Sequence, residues 1–130
     1  MTLIVPDTQK AIVLTDMLGT IDMNLRLYSN NFTPSGSMVI GSITEVAGGG
    51  YAAQPLLHAQ WVIVSGVATY VFQDFHFSGT TNAPGTVYGY YIQDNSGNLI
   101  LAERFPSGVL PFSPTGGSLI RITPTLTVTS

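Results

Sequence analysis

From Asp22 onward the apolar residues of this chain recur at every second position, and helical spacing does not return. Period two places successive side chains on opposite faces of an extended backbone, so each such run reads as a strand with one face to bury. Leu25 and Leu27 alternate with Asn24, Arg26 and Tyr28, before Ser29-Asn30-Asn31 and Pro34-Ser35-Gly36 break the run. The clearest run is 69–77, with Val71, Gln73, Phe75 and Phe77 on one face and Tyr70, Phe72, Asp74 and His76 on the other. A weaker run covers 39–46, and further runs cover 51–57 and 61–64. The runs 86–93 and 98–105 flank Asp94-Asn95-Ser96-Gly97, a strong hairpin signal. Pro124 interrupts a last run, between 119–123 and 125–128; it lacks a ladder donor and belongs at an edge, a bulge or a strand switch.

About eight short strands separated by Gly, Pro and Asn turns are the signature of a sandwich or barrel. The expected fold is all-β: one antiparallel β-sandwich domain over residues 1–130, wired as a jelly-roll, with a short N-terminal helix. That helix is expected over 8–18, capped by Asp7 or Thr8, carrying Ile12, Val13, Met17 and Leu18, and stopped at Gly19. Residues 1–6 read as an N-terminal arm. Leu25, Leu27, Phe75, Phe77, Ile120 and Ile122 are the expected core.

Charge is scarce. Four basic and 7 acidic residues make 8% of the chain, where about 25% is usual. Spread over the surface expected for this size, that is about one charge per 600 Å². Four scattered cations against a net charge of −3 argue against electrostatic binding of nucleic acid or of an anionic membrane. No apolar run approaches the ~20 residues of a membrane span. Met1 to Pro6 lacks the basic start and long apolar stretch of a secretory signal, and with no Cys there is neither a disulfide framework nor a thiolate metal site.

The titratable groups suggest no chemistry. Asp74 and His76 share a strand face and are the best base-and-orienter pair, yet a solvated pair explains them as well. His58 and His76 lack metal-ligand spacing, Glu45 and Glu103 are not tied to one site, and Gly48-Gly49-Gly50 lacks the Lys and Ser/Thr of a phosphate loop. No enzyme is expected, and no catalytic, cofactor-binding or metal-ligating residue is assigned. Aromatic side chains offer one alternative, since Tyr88 and Tyr90 fall on one face with Tyr91 opposite, and an exposed set would stack on a sugar.

So few charges fit a surface that neighbours cover, because interface centres are depleted in charge. The interface candidates are Leu3, Ile4 and Val5 of the arm, Glu103 and Arg104 on opposite faces of their strand, and Tyr88 and Tyr90. Arg26 or Arg121 is the expected partner of Glu103.

Five stretches form a series: Leu25-Arg26-Leu27-Tyr28-Ser29-Asn30-Asn31-Phe32-Thr33-Pro34, Gly50-Tyr51-Ala52-Ala53, Val87-Tyr88-Gly89-Tyr90-Tyr91, Leu101-Ala102-Glu103-Arg104-Phe105 and Ile120-Arg121-Ile122-Thr123-Pro124. In that order, after a short helix, the series resembles small virion proteins of tailed bacteriophages, of the capsid cement (decoration) type. The resemblance implies a jelly-roll subunit, clustered as a homotrimer on the capsid surface, bracing adjacent major capsid proteins. Assembly in the host cytoplasm and the absence of catalytic residues follow from the same resemblance. A phage tail, fibre or receptor-binding tip module is the alternative, as is a free carbohydrate-binding sandwich.

Overall fold

Ten strands carry the fold in the computed structural model, which describes residues 2–4, 21–64, 67–78, 85–106, 113–114 and 117–129, with backbone alone for 2–4 and 127–129. They are β1 (Thr2–Ile4), β2 (Met23–Tyr28), β3 (Gln54–Leu56), β4 (Trp61–Val64), β5 (Val67–Tyr70), β6 (Gln73–His76), β7 (Gly89–Asp94), β8 (Leu99–Arg104), β9 (Leu119–Ile122) and β10 (Thr125–Thr129). The first sheet has the order β1-β10-β5-β4, the second β3-β2-β7-β8, and β6 with β9 makes a two-stranded ribbon. The protein is therefore all-β, as the alternation predicts. The expected helix over 8–18 lies outside the described residues, where the helical turns are single 3-10 turns at Ile40–Ser42 and His58–Gln60.

Two expectations need correction. The pairing is antiparallel except for β1, which lies parallel on β10 with Thr2, Leu3 and Ile4 opposite Thr127, Val128 and Thr129. Residues 39–46 do not form a strand. They contain the first 3-10 turn and a single bridge between Glu45 and Tyr28, because this segment returns across the second sheet as a cover.

The run 69–77 is broken where the sequence looks most regular. Thr69 opposes Thr125, the Tyr70 amide donates to the Pro124 carbonyl at 3.0 Å, and Gln73 opposes Ile122. Val71 and Phe72 together therefore face Thr123 alone, the two-against-one count of a β-bulge. One extra residue reverses the phase. Ala68 and Tyr70 point inward before it, Phe75 and Phe77 after it, and Val71 and Phe72 are left 60% and 40% exposed. On the opposing chain Leu126, Ile122 and Ile120 stay inward without interruption. Pro124 marks the switch: β9 pairs with β6, β10 with β5.

Inward residues of all three sheets meet in one core. Met23, Leu25 and Leu27 of the second sheet pack with Trp61, Ala68, Tyr70 and Leu126 of the first and with Phe75, Ile120 and Ile122 of the ribbon. All six expected core residues are buried there. A smaller cluster forms on the other side of the second sheet, where Tyr28, Tyr91 and Ala102 are covered by Phe32, Met38 and Ile43 of the returning segment. Asn30 holds that segment closed, donating to the Ser42 carbonyl at 2.8 Å and accepting from the Thr44 amide at 3.0 Å.

Candidate functional site

β8 is an edge of the second sheet, and β9 is one strand of the ribbon. Between them opens a cleft of about 400 Å³, lined by Tyr90, Glu103, Phe105, Ile120, Ile122 and Arg121 among others. Tyr90 and Glu103 are register partners on β7 and β8, so their side chains share the inward face. The Tyr90 hydroxyl donates to Glu103 Oε2. Burial, reinforced by that bond to an anion, pushes the Tyr90 phenol far above its ordinary range and keeps it a neutral donor. A carboxylate facing inward from an edge strand is also a device that discourages edge-to-edge pairing.

Arg104 follows Glu103 and points the other way. Its Nη1 donates to the Phe32 carbonyl at 3.0 Å, and its guanidinium lies 5.2 Å from the centre of the Tyr88 ring. Glu103 and Arg104 thus occupy opposite faces, as alternation requires. Tyr88 and Tyr90 do not share a face: Tyr90 is in the main core and Tyr88 packs on the smaller cluster. Leu3 and Ile4 lie on β1 opposite Val128 and Thr129, and Val5 lies outside the described residues.

The cations named as partners for Glu103 are engaged elsewhere. Arg26 Nη1 donates to both oxygens of Glu45, at 3.0 and 2.8 Å. Arg121 lines the cleft, but its guanidinium grips Asp74 through two bonds of 2.7 and 2.9 Å and stacks 4.0 Å over Phe72. Those bonds hold the Asp74 carboxyl below its usual range. Asp74 is therefore Arg121's partner, not the orienter of His76. His58 meets Asp22 instead, with Nδ1 at 2.7 Å from Oδ1. Among the described residues no cluster of three His, Cys, Asp or Glu residues is placed to hold a metal ion.

Of the rings expected to offer a sugar platform, Tyr90 is buried in the main core and Tyr91 under the returning segment. What the cleft offers instead is one half-buried aromatic wall from Phe105, an apolar floor, and a carboxylate already holding a phenol. Such a set is chemically suited to a group that presents hydrogen-bond donors beside hydrocarbon.

Sequence reasoning missed two features. Tyr51 ties β2 to the returning segment, its hydroxyl accepting from the Leu27 amide at 3.1 Å and donating to Glu45 Oε2 at 2.8 Å. The cleft was also missed, although Glu103 on the same phase as buried Leu101 was a readable sign. Compared with known proteins, the chain matches no family model, no curated protein and no solved structure. No helix among the described residues is long and apolar enough to cross a membrane.

Proposed function

We propose that this chain is a non-enzymatic structural protein of a tailed-phage virion: a capsid cement subunit that clusters as a homotrimer on the shell and braces adjacent major capsid proteins. The observation that carries the reading is the first sheet. None of the residues in β1, β10, β5 or β4 is charged, and on the outward phase of β4 Val62 and Val64 are 57% and 62% exposed. A solitary soluble domain ordinarily places charge on such a face and at such edges. The series of stretches resembling phage virion proteins supplies the viral context.

Two four-stranded sheets contributing to one core support a sandwich. The jelly-roll wiring has less support, because the consecutive pairs β2–β3, β4–β5 and β7–β8 are neighbours within one sheet. As cement, a rigid subunit touching several capsid proteins gains avidity from effective concentration. By binding only the assembled lattice it stabilises that state through linkage. Contacts poor in charge are little weakened by salt.

Quantifying the protein per purified particle tests the assignment. Hundreds of copies, retained in molar salt, are the expected result. A handful of copies places it in a tail or fibre, and release on modest salt addition overturns uncharged docking. The receptor- or sugar-binding alternative is favoured by one observation, the cleft with Phe105 beside Glu103 and Arg121. A glycan array on which the protein binds, and the Glu103→Gln variant does not, would favour that reading over cement.

A further inference from the structure

β1 is only Thr2–Ile4, and it is held to the fold through the open edge of β10. The register is parallel and in step: Thr2 with Thr127, Leu3 with Val128, Ile4 with Thr129. Pairing of this kind is made by backbone groups. It recognises an extended segment of this sequence without regard to which copy of the chain supplies it. β1 therefore identifies what the edge accepts.

Residues 5–22 join β1 to β2, which lies in the other sheet. Eighteen residues span at most about 60 Å when extended, and about 40 Å with the expected helix over 8–18 formed. A domain of this length has a radius of gyration of about 14 Å. The connection is long enough to carry β1 past its own domain onto an adjacent one. The destination has the character of an interface, since both edge strands of the first sheet, β1 and β4, lack the charges that usually keep an edge solitary.

We propose that in the assembled cluster the β10 edge of each copy takes β1 of a neighbouring copy, an exchange of N-terminal strands. The inference rests on the clustering part of the reading above and names its partner: a second copy of this chain, contributing Thr2–Ile4. Exchange of an identical element keeps every backbone bond of the closed subunit and adds contacts between copies. The uncharged sheet then lies at the junction.

The chain has no cysteine, so introduced thiols report without background. Adjacent strands lie about 4.8 Å apart, within the Cα separation of about 4.4–6.8 Å that a disulfide spans. One tagged chain carries Thr2→Cys and a differently tagged chain carries Thr127→Cys; the two are co-expressed and mildly oxidised. The expected result is a covalent pair joining the two tags, with the double variant Thr2→Cys/Thr127→Cys forming a ladder of linked chains. Leu3→Cys with Val128→Cys repeats the test if the first pair folds poorly.

Closure of the double variant within single chains, with no product joining the tags, overturns the exchange. So does a complete absence of disulfide in folded protein, because β1 then does not occupy β10 at all. Light scattering on the unsubstituted protein separates the two readings. An oligomer whose crosslinks are all intrachain removes the exchange and leaves the clustering, whereas a monomer removes both.

Discussion

Gly89 begins β7 where Tyr28 of β2 crosses it. A Cβ at that position would meet the Tyr28 hydroxyl at 2.5 Å and the backbone carbonyl of Glu103. A carbonyl fixed in the β7–β8 ladder has little room to retreat, so Gly89→Ala is expected to cost about 3 kcal/mol, the upper part of the range for overpacking. A urea melt matching that of the parent would remove this account. Tyr51 tests a different quantity. Tyr51→Phe keeps the ring stacked 5.7 Å from Phe75 but leaves the Leu27 amide without its partner. The expected loss is about 1–3 kcal/mol, the cost of stranding a buried donor, read from the same melts. At this scale the sequence was a good guide to which side chains are buried and a poor guide to which polar groups meet. Leu25 and Ile120 follow from local periodicity, whereas the partners of Arg26 and His58 stand 19 and 36 positions away.

The hairpin at 94–97 was legible because its causes are local. Asp94 Oδ1 accepts from the amides of Ser96 and Asn98, and Gly97 adopts φ of 87°, which suits glycine best. The bulge at 71–72 was not legible, because it exists only relative to the register of β9 and β10 across from it. Uninterrupted alternation from 69 to 77 concealed a change of sheet. Deleting Val71 should remove the extra residue and leave Tyr70 and Phe75 four positions apart, both on the inward face of an unbulged strand. The expected outcome is a cooperative thermal transition that survives the deletion, while Val71→Thr, at an exposed site, melts within about 0.5 kcal/mol of the parent. Loss of the cooperative transition in the deletion variant would contradict the two-against-one register at 71–72. The cleft was hidden for the same reason as the bulge, since β8 and β9 become neighbours only after the ribbon folds over the core.

Across the whole molecule, pH acts at both ends of the scale. Asp22, Asp74 and Asp94 are held below the ordinary carboxylate value of 3.8, by hydrogen bonds from His58, Arg121 and Asn98 respectively. Their ionised forms favour the fold above that value, and the contribution is lost as pH falls through the lowered ones. Thermal melts should therefore show a decline beginning below about pH 4, and Asp74→Asn should make that decline shallower. An acid limb unchanged by the substitution would count against the Arg121 pair. Desolvation raises the Tyr28 and Tyr91 phenols from 10.0 to about 12, and Tyr51 and Tyr90 rise further. Stability from these neutral phenols is complete below pH 10 and fades as pH climbs through the raised values. The phenolate absorbance of these four should consequently appear late and together with unfolding; their early titration would contradict their burial. The parallel seat of β1 on β10 also has a mechanical meaning. Tension applied along the chain at Thr2 and Thr129 drags the two strands past one another and loads every rung simultaneously, whereas tension on the ends of the β7–β8 hairpin peels its rungs apart in turn. One of the two shortest strands among the described residues is thus mounted in its most tear-resistant orientation.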